Sequence, residues 1–216
     1  MFGGEAVVRT GAAVLAPGAA KPEPLTNPEG EVSWLPKVLP GDDQGTSGAC
    51  QTFAIASWCE IVKGLNISDA ETLLAYRIGL DELNRKWGDG MTVPEGVENV
   101  NRIGSWFGAG RRMRAVSQRN LDRLQHQPLL LVYRVTPAWD VPSFEGCLDH
   151  AAPETPVRGY HCVTGVGKGT LRKFSSGPLV YIENSWTRWG WKGLGVMTLA
   201  LHDKLIEEVW ALEDVR

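Results

Sequence analysis

With 216 residues and a formal net charge of −3, the chain suits one domain or two tightly packed lobes. That charge gives no electrostatic case for binding nucleic acid or an anionic membrane. Hydrophobic residues make up 43% and charged residues 22%, enough to bury a sizeable core and too apolar for disorder throughout.

Residues 1–30, from MFGGEAVVRTGAAVLAPGAA to KPEPLTNPEG, are rich in Ala, Gly and Pro and read as an extended arm open to protein partners. Glu5 precedes Arg9, and Gly and Pro interrupt the apolar part, so the stretch does not read as a signal peptide. No apolar run approaches the ~20 residues that span a bilayer. The expected location is the cytoplasm or a protein assembly such as a virus particle. Residues 31–40, EVSWLPKVLP, predict an extended strap laid on a core.

The loop DQGTSGA then delivers Cys50 to the start of a strongly apolar segment. A helix is expected from about Cys50 to Lys63, ended by Gly64. Ser68 and Glu71 form a capping box ahead of a second helix in ISDAETLLAYRIGLDELNRKW. A GDGMTVP loop leads to a shorter helix near EGVENVNRIGSW, and QRNLDRLQ predicts another short one with Ser117 as N-cap. From there the character changes. PLLLVYRV, YHCVTGVG, TLRKF, PLVYIENSW and LGVMTLA are short runs rich in β-branched and aromatic residues, separated by turn signals. Helices first and strands second predict an α+β fold: an arm at 1–30 and a domain at 31–216, mainly helical over about 31–125 and mainly β over about 126–216.

Four cysteines, Cys50, Cys59, Cys147 and Cys162, are too few for a disulfide-stapled scaffold, and no pair has zinc-finger spacing. Cys59 lies half a helical turn out of phase with Cys50 and reads as core; Cys147 and Cys162 are a pair only in an oxidising compartment. Cys50 heads its helix, where unpaired N–H groups and the helix dipole favour a thiolate and should depress its pKa. A cysteine nucleophile needs a base, a group to orient the base, and donors for an oxyanion. Of four histidines, His126 and His202 sit among polar neighbours as surface residues and His150 lies in a loop. His161 opens a strand near the lobe boundary, and Asn184 and Trp186 end another strand, where they suit orienting and shielding an imidazole. GVGKGT at 165–170 lacks the spacing of a phosphate loop. A zinc site at Cys147, His150, His161 and Cys162 is disfavoured because adjacent strand residues point to opposite faces.

The ordered set Gln44–Gly45, Gly48 and Cys50, then His161, then Asn184–Ser185–Trp186 and Trp189–Gly190, resembles the papain-like cysteine peptidases of the compact prokaryotic or viral type. The resemblance runs from about Val32 to the C-terminus. It implies a helical lobe and an antiparallel, barrel-like β lobe flanking an active-site cleft. It also implies an endopeptidase in which Cys50 attacks as thiolate, His161 exchanges the proton, Asn184 fixes the imidazole, and the Gln44 amide with the Cys50 N–H binds the oxyanion. Gly45 and Gly48 would turn the loop so that Gln44 and Cys50 converge. Gly88, Asp89 and Gly90 resemble the backbone that pairs with a polypeptide substrate, and Met91, Cys162, Thr164 and Trp186 are expected around it. No metal or cofactor is implied. The sequence departs from the family at Gln51 (commonly Trp), Ser47 (commonly a disulfide cysteine), Tyr160 (often Asp or Asn) and a shorter turn after Trp186. The alternative is a papain-like module that serves as a structural or binding component of a larger assembly, the arm at 1–30 packing on partner chains.

Overall fold

A computed structural model describes residues 29–39, 41–103, 112–140, 147–148, 156–170, 177–186 and 189–215. The arm over 1–28 and the expected strand at TLRKF beyond Thr170 lie outside the described residues, as does His150. The first described element is a strand, β1 (Glu29–Ser33), so the strap is hydrogen-bonded to the core along part of its length.

Three helices follow. Helix α1 (Cys50–Lys63) starts at Cys50 and stops where Gly64 adopts the left-handed conformation, φ 67°, with its N–H on the Glu60 carbonyl. Residues 51 to 61 of α1 are all buried, so it is a central helix. Helix α2 (Asp69–Glu82) opens on the expected capping box, with reciprocal Ser68 and Glu71 bonds. Helix α3 (Val93–Ile103) completes the group.

The rest is one antiparallel sheet. Strands β2 (Met113–Gln118), β3 (Leu129–Val135), β4 (Gly159–Thr170), β5 (Leu179–Glu183), β6 (Leu194–Thr198) and β7 (Ile206–Asp214) run in the order β2-β7-β3-β4-β5-β6, and β1 pairs with β4. Here the structure corrects the barrel-like expectation: β2 and β6 are not paired, and the sheet is open. It also corrects the helix placed at QRNLDRLQ. Ser117 is not an N-cap but lies in β2, opposite Trp210, and only a short 3-10 turn at Asp122–Gln125 remains. Helix α4 (Leu199–Leu205), capped by the Thr198 hydroxyl, runs directly into β7.

Side-chain alternation explains why β3 reads as an unbroken apolar run. Leu129, Leu131, Tyr133 and Val135 enter a core with Trp139, Val163, Val180, Ile182, Trp189 and the α4 leucines. Leu130 and Val132 face the other way, onto Ala54, Ile55 and Trp58 of α1 and Val93, Val97 and Val100 of α3. Both faces of the strand are covered, and α1 is clamped between sheet and helices. Cys59 is core, as expected. Cys147 and Cys162 belong to different clusters and form no disulfide with each other. His202 is buried rather than superficial: its Nδ1 meets the Tyr133 hydroxyl at 2.6 Å, and burial pushes its pKa down to about 4. Among the described residues, no helix is long and apolar enough to cross a membrane.

Candidate active site

The N-terminus of α1 carries Cys50, the start of β4 carries His161, and Asn184 follows the adjoining end of β5. Cys50 is the first residue of α1, following Ala49 as N-cap. The backbone N–H groups of Cys162, Gln51 and Cys50 itself favour the charged sulfur and pull its pKa down. Burial pushes the thiol up and is the larger effect. This corrects the expectation of a depressed Cys50 pKa, which underweighted desolvation: the net direction is upward, so a thiolate there needs a proton acceptor beside it.

Cys162, whose N–H helps lower the Cys50 pKa, follows His161 on β4. The two residues diverge as strand neighbours must. Cys162 turns to the α1 face, and His161 to the opposite one. His161 is 5% exposed, and its Nε2 lies 2.8 Å from Oδ1 of the buried Asn184. The ring of Trp186 stacks on the imidazole, with centroids 4.4 Å apart and planes 23° from parallel. On another side, the Trp139 ring stands edge-on at 6.1 Å. Trp139 in turn stacks with Trp189 at 5.9 Å and accepts its indole N–H at the backbone carbonyl, 2.7 Å. The tryptophans after Asn184 thus wall the His161–Asn184 hydrogen bond from water.

Gln44 is held from both directions. Its backbone N–H donates to the Ser185 carbonyl at 2.9 Å, and the Ser185 hydroxyl donates to its Oε1 at 2.5 Å. Its Nε2 donates one hydrogen to the Ser47 carbonyl at 2.8 Å, leaving the second N–H of the amide. Ser47 donates its hydroxyl to the Gln44 carbonyl at 2.7 Å. A hydrogen bond therefore closes this loop where the resemblance would put a disulfide cysteine. Gly45 takes φ 57°, a left-handed turn. Gly48 serves differently: a Cβ there would lie 2.5 Å from the Gly88 carbonyl oxygen and 2.9 Å from that of Asp89. The Gln44–Cys50 loop and the Gly88–Gly90 loop touch backbone to backbone, which no side chain at 48 would allow.

That second loop is anchored by Tyr76, whose hydroxyl accepts the Gly88 N–H at 3.0 Å and donates to the Asp89 carbonyl at 2.8 Å. Arg85 binds the Gly90 carbonyl at 2.9 Å while paired with Glu95. A Cβ on Gly90 would meet nothing within 4 Å, so that backbone faces open space. Met91 packs inward with Phe53, Tyr76 and Leu80. Cys162 and Thr164 line a small cavity with Phe53, Ala54 and Ser57. Tyr160 is 55% exposed beside His161. Gln51 is buried against Gly96, where a Cβ would fall 2.6 Å from its amide nitrogen.

Sequence reasoning gave no role to Ser185, although it sits inside the quoted Asn-Ser-Trp run, nor to Tyr76 or Trp139. Ser185 and Trp139 act by contacts far along the chain, which no local pattern announces. Among the described residues, no group of three or more His, Cys, Asp or Glu is placed to hold a metal ion.

No protein-family model matches the sequence, and no curated protein does either. Solved structures do match. Xylellain, a cysteine protease from Xylella fastidiosa, superimposes with a TM-score of 0.69 at 14% identity, over 100% of this chain and 99% of its own. The ragweed pollen allergen Amb a 11, a cysteine protease in its proform, gives 0.60 at 17% identity, over 88% of this chain and 67% of its own. The clostridial cysteine protease Cwp84 after propeptide cleavage gives 0.54 at 12% identity, over 84% and 57%. The chain has the fold of the papain-like cysteine proteases.

Proposed function

We propose that the protein is a cysteine endopeptidase, with Cys50 as nucleophile, His161 as its proton partner, Asn184 as the group that orients His161, and Gln44 with the Cys50 N–H as oxyanion donors. One observation carries the reading. The His161 Nε2–H is committed to Asn184 at 2.8 Å beneath a stacked Trp186.

The chemistry follows from that arrangement. Asn184 Oδ1 accepts the Nε2 proton and so fixes the tautomer, leaving the Nδ1 lone pair to take the Cys50 proton. Since burial disfavours the lone thiolate, the charge-separated pair supplies the nucleophile. The thiolate attacks the scissile carbonyl carbon, and its oxygen becomes an oxyanion between the Cys50 N–H and the remaining Gln44 amide N–H. The imidazolium then gives its proton to the departing amine. Water, deprotonated by the same ring, attacks the thioester and releases the second product. The Gly88–Asp89–Gly90 backbone is the edge offered to an extended polypeptide.

The test is turnover of a panel of fluorogenic peptidyl amides by the wild-type protein and by Asn184→Ala. Turnover by the wild type is expected. A loss of about 10²-fold in kcat with KM little changed is expected in the variant, the scale of misplaced general acid–base catalysis. A folded wild type that cleaves none of the panel, or an Asn184→Ala variant with undiminished kcat, would contradict the assignment.

A further inference from the structure

Cys50 comes from helix α1, while His161 lies on β4 and Asn184 directly follows β5. The candidate site is therefore complete only when helix and sheet keep one register. Cys50, Ala54 and Ser57 fall at positions i, i+4 and i+7, which line one face of a helix. Ser57 sits two turns, or about 10 Å, along the axis from Cys50. That face meets the sheet through side-chain hydrogen bonds. Thr164 on β4 donates its hydroxyl to the Ala54 carbonyl at 3.2 Å, and Ser57 donates its hydroxyl to Glu183 Oε2 at the end of β5.

Thr164 and Glu183 are cross-strand partners, so both point to the same side of the sheet, toward α1. The next residue, Asn184, turns to the other side, where its Oδ1 holds His161 Nε2 at 2.8 Å. Glu183 is 7% exposed and Ser57 3%. Burial lifts the Glu183 carboxyl to about 8, so at neutral pH it is mainly the uncharged acid. An apolar pair would pack in this layer without the cost of desolvating a hydroxyl and a carboxyl. What the polar pair adds is direction. Apolar contacts let a helix slide, whereas a hydrogen bond fixes its place along the axis.

We propose that the Ser57–Glu183 hydrogen bond is a positioning brace, which sets the His161–Asn184 pair in register with Cys50. The proposal rests on the peptidase reading for what is positioned and on the fold alone for the brace. A single peptide unit separates the carboxyl held by α1 from the residue whose amide holds the imidazole. Without the bond, the end of β5 is free to shift against α1, and Asn184 and His161 shift with it. Ser57 and Glu183 are both buried behind the site, so the cost falls on kcat and not on substrate binding.

The experiment uses the full chain as wild type, Ser57→Ala, Glu183→Gln and Leu212→Ala. Leu212 is a buried residue of β7, separated from β5 by β3 and β4 in the sheet, and its variant controls for lost stability alone. Two readouts are taken at neutral pH, well below every melting midpoint. One is kcat and KM on a fluorogenic peptidyl amide. The other is solvent exchange of the His161 Nε2 proton by NMR, its signal assigned by its loss in His161→Gln. Ser57→Ala should lower kcat about tenfold with KM little changed, since small misplacements of reacting groups are costly, and should speed exchange by a similar factor. Glu183→Gln copies the neutral acid and keeps an acceptor for Ser57, so it should recover most of both. Leu212→Ala should melt lower yet exchange like the wild type. The brace is overturned if Ser57→Ala exchanges like the wild type or, where the wild type turns over peptide, keeps its kcat. It is equally overturned if Glu183→Gln is as damaged as Ser57→Ala, or if Leu212→Ala speeds exchange as much. If no form turns over peptide while exchange behaves as described, the peptidase reading fails and the brace survives.

Discussion

Replacing His161 by Ala should lower peptide hydrolysis on the order of 10⁴-fold or more while the protein still folds, because members of a nucleophile–base pair act as one unit. In the proposed mechanism the ring is both the proton acceptor that a desolvated Cys50 requires and the acid for the leaving amine. Burial holds the Cys50 thiol protonated on its own, and three backbone N–H groups do not reverse that. Without an imidazole beside it, the sulfur has no partner for its proton. His161→Gln, closer in volume, separates this chemistry from packing: it should fall nearly as far in kcat/KM and melt closer to the wild type. Activity within tenfold of wild type in a folded His161→Ala would mean that another group accepts the proton.

The largest stability loss should come from Trp139→Ala, at about 3–5 kcal/mol for a fully buried aromatic side chain. Trp139 is 0% exposed, stacks on Trp189 at 5.9 Å, lies 5.5 Å from Tyr133 and stands edge-on to His161 at 6.1 Å. Removing it opens a cavity beneath the His161 ring as well as in the core, so on the proposed mechanism kcat should fall with stability. Trp139→Phe should cost less, partly because the Trp139 indole N–H finds no acceptor among the described residues. Urea titration measures both variants; the midpoint should shift with an unchanged slope. A loss under about 1 kcal/mol for the alanine variant would show that the aromatic layer collapses around the gap and does not brace His161.

Much of the fold around the candidate site was legible because its signals are local. The left-handed Gly64 and the Gly-rich loop bracket α1 at the residues read from sequence, and the Ser68–Glu71 box begins α2. Strands β3 to β6 announce themselves by β-branched and aromatic runs. What escaped was set by distant partners. Strand β2 mixes buried Met113 with exposed and half-buried polar residues, and Ser117 imitates a helix cap. The segment after β6 was given no element from sequence, and it is a short helix and then β7. Its strand state is fixed by pairing with β2 and β3, far earlier in the chain. Closure of the sheet was expected from the resemblance and is absent because β2 and β6 stay apart. His202 looked superficial among polar neighbours, but the Tyr133 hydroxyl draws it inward. The Ser57–Glu183 bond was invisible for the same reason: the two residues are unremarkable where they stand in sequence and meet only through the fold.

The central claim, that Cys50 and His161 form a working nucleophile and base, is tested most directly by labelling with a peptidyl epoxide and locating the adduct by peptide mass spectrometry. Wild type, Cys50→Ala and His161→Ala should be treated side by side. The account predicts one adduct per chain, on Cys50, absent in Cys50→Ala and strongly slowed in His161→Ala. Folded wild-type protein that takes no label, or label that reaches Cys59, Cys147 or Cys162 as readily as Cys50, would contradict it.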